Sequence, residues 1–229
     1  MSVGKEFYHG EEHVEGRPAP NPAYTWWPKP SQSPPALPFS LVAANYLNSR
    51  RLSVEIAAAN GWYSVEASDG VERICIPCLG EEWAYWQSRA VEPSQGKRYM
   101  CPSWKRGGAY CRVYPTPIVE IPSKTYPTVA VVEGPLDALA AAGETVVGIA
   151  MLGLHPPPEA LANIVQETSL YPTRLLILDN DPEARKRGPD LVTLWGESHV
   201  SVELRFPPSP WKDLADCPPP IRSTLLKAS

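Results

Sequence analysis

The apolar pattern of this chain changes character near residue 128. Upstream, apolar positions are spaced and interrupted. Leu41, Val42, Tyr46 and Leu47 recur at helical spacing, and Ser53 stands where a cap would open a second helix bearing Ile56 and Ala57. Glu55 comes too early for a capping box, and Asn60-Gly61 ends that helix. Residues 73–77 and 83–89 read as strands, with Gly80-Glu81-Glu82 turning between them as a hairpin. Downstream, the apolar runs are continuous. Residues 129–132 form a strand that ends at Glu133-Gly134-Pro135, an Ala-rich helix follows to Ala142, and Gly143 stops it. A strand over 145–150, a helix through Leu161, Ile164 and Val165, a strand over 174–178, a helix over 190–195 and a strand over 201–206 complete the alternation. Continuous apolar strands alternating with helices predict an α/β fold, a mostly parallel central sheet covered on both faces, preceded by a smaller α+β unit.

Composition adds an N-terminal element. Of 28 prolines, eight fall at Pro18, Pro20, Pro22, Pro28, Pro30, Pro34, Pro35 and Pro38. That spacing predicts a flexible, partly polyproline-II tail over 1–38, a basic subdomain over 39–126 and the α/β domain over 127–229. Tyr24, Trp26 and Trp27 within the tail either dock on the body or a partner, or collapse locally. No leader-like or membrane-spanning apolar run is present. The five cysteines do not close a disulfide framework. A reducing cytoplasmic setting without a membrane partner is expected. Cys75 and Cys78 form a C-x-x-C with Cys101 and Cys111 beyond, but Cys75 falls inside a strand and the later spacing is loose, so no structural zinc is expected.

The net charge of -4 carries no nucleic-acid signature, yet charge is uneven. Between Ala84 and Arg112 lie Arg89, Lys97, Arg98, Lys105 and Arg106 with Glu92 as the sole acid. Tyr85, Trp86, Tyr99, Trp104 and Tyr110 interleave with them. Such a stretch supplies phosphate contacts and stacking platforms for single strands; the alternative is a solvated basic face over core aromatics.

Acidic residues gather where an open α/β sheet places function, beyond the carboxyl ends of its strands. Glu133 ends the first downstream strand, Asp179 ends the third, and Asp181 follows two residues later. Carboxylates crowded together repel one another, and a hard divalent cation with oxygen ligands relieves that repulsion, Mg²⁺ or Mn²⁺ where substrate phosphates share the ligation. Acids also cap helices and open turns. Asp137 either supports the site or favours the first helical turn electrostatically. Asp213, as an auxiliary ligand, and Asp216, behind it, follow the fourth strand.

Glu133-Gly134-Pro135-Leu136-Asp137 and Leu178-Asp179-Asn180-Asp181 resemble the Toprim domain of topoisomerases, bacterial-type primases and certain nucleases. Gly153 matches the glycine after that domain's second strand, and Lys212-Asp213-Leu214-Ala215-Asp216 resembles the Lys-Asp-x-x-Asp segment of primases. One departure is Gly188, which comes late, after Arg185-Lys186-Arg187; a longer loop before the helix is expected. Upstream, Tyr46-Leu47 with Arg51-Leu52-Ser53, then 73–77, then Gln87-Ser88-Arg89-Ala90 and Lys97-Arg98-Tyr99, resemble in order the helical opening, "R-I-x-I-P", "x-G-R-A" and "K-x-Y" motifs of a primase core. The resemblance implies a DNA primase, a nucleotidyltransferase making short primers on single-stranded DNA from nucleoside triphosphates. Glu133, Asp179 and Asp181 would be catalytic and metal-binding, with Arg89 and Lys97 on triphosphate or template. It implies a stripped, phage-type core in a bacterial host, without the zinc-binding or helicase domains, working beside a separate helicase or zinc-binding protein. A Toprim nuclease and a non-catalytic nucleic-acid-binding accessory protein remain as alternatives.

Overall fold

The computed structural model describes residues 38–66, 70–78, 85–92, 97–101, 107–115 and 126–228. The tail up to residue 37, the 80–82 turn, Trp83, Ala84, Trp104, Lys105 and Arg106 lie outside these residues.

The chain first builds two short helices. In α1 (Leu41–Ser49) the Ser40 hydroxyl accepts from the Ala43 amide at 3.1 Å, and in α2 (Val54–Ala59) Ser53 does the same for Ile56 at 3.1 Å. Each side chain satisfies one of the four amides a helix start leaves unpaired. Gly61 follows with φ +77°, where a side chain would be strained. An antiparallel sheet comes next, ordered β1 (Tyr63–Glu66), β2 (Glu72–Pro77), β3 (Trp86–Ala90) and β4 (Tyr99–Met100). The β2–β3 pair is the hairpin expected from the sequence, in register Cys75 with Ser88 and Ile74 with Arg89.

The second sheet contains β5 (Cys111–Val113), β6 (Thr128–Val132), β7 (Val147–Ala150), β8 (Thr173–Ile177) and β9 (Glu203–Arg205), in the order β5-β7-β6-β8-β9. Strands β7, β6, β8 and β9 run parallel, whereas β5 is antiparallel to β7, so the sheet is mixed. Its parallel strands are joined through α3 (Pro135–Ala142), α4 (Pro158–Thr168) and α5 (Pro182–Glu197), and α6 (Pro219–Leu226) ends the described chain. Alternate strand residues feed two cores. Ala130, Val132, Leu175 and Ile177 meet α3 and the N-terminal helices, while Val129, Val131, Ile149 and Leu176 meet α4 and α5 through Ile164, Leu191 and Trp195. All eight residues of α3 are buried, which explains its run of alanines: the helix sits between the sheet and the upstream unit. Gly148 lets it sit so close, because a Cβ there would lie 2.1 Å from the Ala138 carbonyl oxygen.

Three sequence expectations need correction. The strand expected from Thr145 starts at Val147, because Thr145 takes a left-handed turn at φ +65°. The strand expected over 201–206 spans three residues. No long loop separates Asp181 from its helix: α5 starts at Pro182 and runs through Arg185-Lys186-Arg187, Gly188 and Pro189. Gly188 is a packing glycine inside that helix, where a Cβ would stand 2.9 Å from Leu204 Cδ2.

Candidate active site

The carboxyl ends of β6 and β8 open onto a cleft of about 280 Å³ lined by Glu133, Asp137, Asp179 and Asp213 on the side of the parallel sheet. Gln87 of β3, Arg98 just before β4 and Tyr99 at its start face them. Two sheets built from distant segments thus meet here, one acidic and one partly basic.

Each acid is placed by its element. Glu133 leaves the end of β6, and its carbonyl accepts the Gly153 amide at 3.0 Å, from a turn in which Gly153 has φ +122°. Its carboxylate Oε1 accepts the Asp179 amide at 3.0 Å, bridging the ends of β6 and β8. Asp137, in the first turn of α3, accepts the Ala215 amide at 2.9 Å. Gly134 makes room for it, since a Cβ there would lie 3.0 Å from Asp137 Oδ2. Asp213 Oδ1 accepts the Asp216 amide at 2.7 Å. Asp179 Oδ2 lies 3.4 Å from Lys212 Nζ.

Asp181 is not among the lining residues. Its Oδ1 accepts the Ala184 amide at 2.9 Å and caps α5, although its charge still reaches Glu133 and Asp179. Asp216 pairs with Arg50 Nη2 at 2.8 Å, and the same nitrogen stands 3.5 Å from Asp213. Lys97 and Arg98 are exposed, with Arg98 on the cleft. Arg89 is 3% exposed, its guanidinium 4.8 Å from the Tyr99 ring centroid and 5.9 Å from that of Tyr46. It therefore backs the Tyr99 wall rather than lining the cleft. Lys212, Gln87 and Arg50 are not assigned from the sequence. The sequence did carry a signal for Lys212, which adjoins Asp213, and for Gln87, two positions from Arg89 on the same strand face. Nothing local marks Arg50, whose partners are 163 and 166 residues away.

The electrostatics are those of a site short of positive charge. Burial, then the charges of Asp179 and Asp181, push Glu133 up to about 7 against the opposing Asp179 amide bond. Burial and the neighbouring Asp213 hold Asp137 well above the usual carboxylate range. Asp179 is raised by burial and by Asp213, with Lys212 pulling the other way. Half-buried oxygen donors that penalise one another's ionisation suit a hard divalent cation. The carboxylates as placed are turned to internal partners, however, and among the described residues no three acidic, His or Cys groups are disposed to hold one ion. The cysteines offer no alternative cluster: Cys75, Cys78, Cys111 and Cys217 are buried and Cys101 is exposed, all as free thiols. Among the described residues no helix is long and apolar enough to cross a membrane.

No protein-family profile matches the chain, and no curated protein matches it in sequence. Solved structures do match in fold. The primase fragment of the bacteriophage T7 primase-helicase protein aligns with TM-score 0.53 at 17% identity, over 82% of this chain and 77% of that one. The RNA polymerase domain of Mycobacterium tuberculosis primase aligns with TM-score 0.56 at 15% identity, over 82% and 76%. The Aquifex aeolicus primase, comprising zinc-binding and RNA polymerase domains, aligns with TM-score 0.58 at 15% identity, over 77% of this chain and 52% of that one. The chain thus has an α/β fold similar to that of primase RNA polymerase domains.

Proposed function

We propose that this chain is the catalytic core of a primase-like nucleotidyltransferase, joining nucleotides on a single-stranded DNA template. The observation that carries the reading is the cleft itself: four carboxylates at the carboxyl edge of the parallel sheet, faced by Arg98 and Tyr99 from the side of the antiparallel one, in a fold similar to primase RNA polymerase domains.

In this reading Glu133, Asp179 and Asp213 would hold Mg²⁺ or Mn²⁺, with Asp181 released from its capping role or acting through its charge. A bound divalent ion supplies charge neutralisation at the transferring phosphate and orientation of the attacking hydroxyl. The residues of the chain do the rest. Asp137, by holding the Ala215 amide, fixes the segment that carries Asp213. Glu133 keeps the β6 and β8 ends in register through the Asp179 amide. Arg98 presents charge to template or triphosphate at the rim, and Tyr99 offers a ring backed by Arg89 for a base to stack on. A replicative helicase would be the natural partner.

One observation favours a second, non-catalytic reading, a nucleic-acid-binding accessory protein: the carboxylates are occupied by internal partners. Incubating the protein with single-stranded DNA, labelled nucleotides and Mn²⁺ separates the two. Nucleotide-dependent product that is lost in Asp179→Ala supports the primase reading. Strand binding without turnover supports the accessory role, and nucleotide-independent cleavage of the strand points to a nuclease.

A further inference from the structure

Lys212 is a loosely held charge in the cleft. Its backbone is fixed, for its carbonyl accepts the Asn180 amide at 2.6 Å and thereby ties the loop after β9 to the loop after β8. Its side chain is held by one long contact. It is 58% exposed, and Nζ stands 3.4 Å from Asp179 Oδ2, outside the roughly 2.7–2.9 Å of a well-made charge-assisted hydrogen bond. The charge of Asp179 and a long hydrogen bond to it hold the ammonium there, and the charges of Asp181 and Asp213 add to the attraction. A flexible four-carbon stem with three donors can keep its root and change its acceptor.

We propose that Lys212 is the resident counter-charge of Asp179 in the metal-free cleft, and that it turns to the phosphate chain of an incoming nucleoside triphosphate once a divalent cation takes Asp179. The inference rests on the reading of the cleft as a metal and nucleotide site, and it assigns that site a phosphate-binding group of its own. The reasoning is one of charge exchange. Two cations cannot both be stabilised by the same carboxylate without repelling each other across a few ångströms. Neutralising Asp179 removes the largest attraction on Lys212, while a triphosphate bound at the ion supplies new anionic oxygens within the reach of its stem. Lys212 therefore competes with the first ligand and assists the second.

Binding measurements on the full chain test this with no need for turnover. Mn²⁺ binding is measured by calorimetry at low salt for wild type, Lys212→Met, Lys212→Arg and Asp179→Asn. Inorganic tripolyphosphate binding, and separately a single-stranded oligonucleotide, are then measured in saturating Mn²⁺. Lys212→Met is expected to bind Mn²⁺ about twofold to fivefold tighter, the range that an exposed ion pair allows. It is expected to bind tripolyphosphate about tenfold more weakly, the effect of removing one charge-assisted hydrogen bond. Oligonucleotide affinity stays near wild type, and Lys212→Arg restores both effects. Unchanged Mn²⁺ and tripolyphosphate affinities in Lys212→Met overturn the inference, as does a loss confined to the oligonucleotide. Asp179→Asn separates the levels. If it weakens Mn²⁺ binding while Lys212→Met changes nothing, the metal-site reading stands and the role of Lys212 falls. If it leaves Mn²⁺ binding intact, both fall.

Discussion

At the scale of single residues, the cleft concentrates groups whose ionisation opposes folding. Glu133 titrates near 7 in the folded protein because burial and the charges of Asp179 and Asp181 disfavour its carboxylate; in the unfolded chain it would titrate near 4.3. The folded state then holds more protons than the unfolded state between about pH 4.3 and pH 7, so stability falls as pH rises through that window. In EDTA, melting temperature is expected to decline across it for wild type and to decline less for Glu133→Gln; equal slopes would show that Glu133 is not under this pressure. With Mn²⁺ present the wild-type decline should shrink, since an ion bound to the folded state alone adds stability by mass action. A second residue-scale expectation concerns Gly148, whose missing Cβ is what lets α3 lie on β7. Gly148→Ala would drive a methyl into the backbone of Ala138, a rigid obstacle, and should cost about 1–3 kcal/mol or more in denaturant titrations.

At the scale of elements, the loop carrying Asp213 is held by arginines from two directions. Arg222 of α6 is buried and donates to the carbonyls of Arg50, Arg51, Leu214 and Ala215 at 2.7–3.2 Å, while Arg50 reaches Asp213 and Asp216. The turn between α1 and α2 is thus bolted to the acidic segment of the other sheet. Replacing Arg222 by Ala strands several buried carbonyls and should destabilise by at least about 2–3 kcal/mol, read from chemical denaturation. Arg50→Ala touches more exposed pairs and should cost about 1 kcal/mol or less; a larger loss for Arg50 than for Arg222 would reverse this account. None of that bolt is legible in the sequence, because it joins positions more than 160 residues apart. What is legible follows the same logic. β6, α3, α4 and β8 show through because continuous apolar runs are punctuated by Gly143 and the prolines before α4. β1, β4 and β5 do not, being two to four residues long and set by their partners rather than by their own pattern. The start of α5 is hidden by Arg185-Lys186-Arg187, Gly188 and Pro189, which read as loop although Asp181 caps a helix there. Within the cleft, Glu133 and Asp179 are legible from their strand ends, whereas the turning of Asp181 to the Ala184 amide is a side-chain choice that spacing alone does not encode.

At the scale of the whole molecule, the proposed function has the two sheets divide the work, and that division is testable. The upstream sheet presents Lys97, Arg98 and Tyr99 outward, and the parallel sheet presents the acids. If strand binding belongs to the first and chemistry to the second, mutations on the two sides should separate cleanly. A combined Lys97→Ala and Arg98→Ala change removes cations that neutralise phosphates, so single-strand affinity should fall. Its dependence on log salt should flatten by about 0.7 unit of slope for each phosphate no longer neutralised. Asp179→Ala removes a carboxylate that repels phosphate, so metal-free strand binding should persist or tighten. Metal-dependent product formation should fall further than the roughly 10–100-fold typical of losing an outer-shell partner, because a ligand itself is gone. Salt titrations by fluorescence anisotropy beside nucleotide-incorporation assays on the same preparations give both readouts. The pairing of outcomes decides the matter. If Asp179→Ala weakens metal-free strand binding as much as the basic pair does, the acidic cleft is part of the strand path and the two sheets do not divide the work. If it spares turnover while the basic pair leaves the salt slope untouched, neither side has the role given to it, and the similarity of fold to primase RNA polymerase domains would stand without a similarity of function.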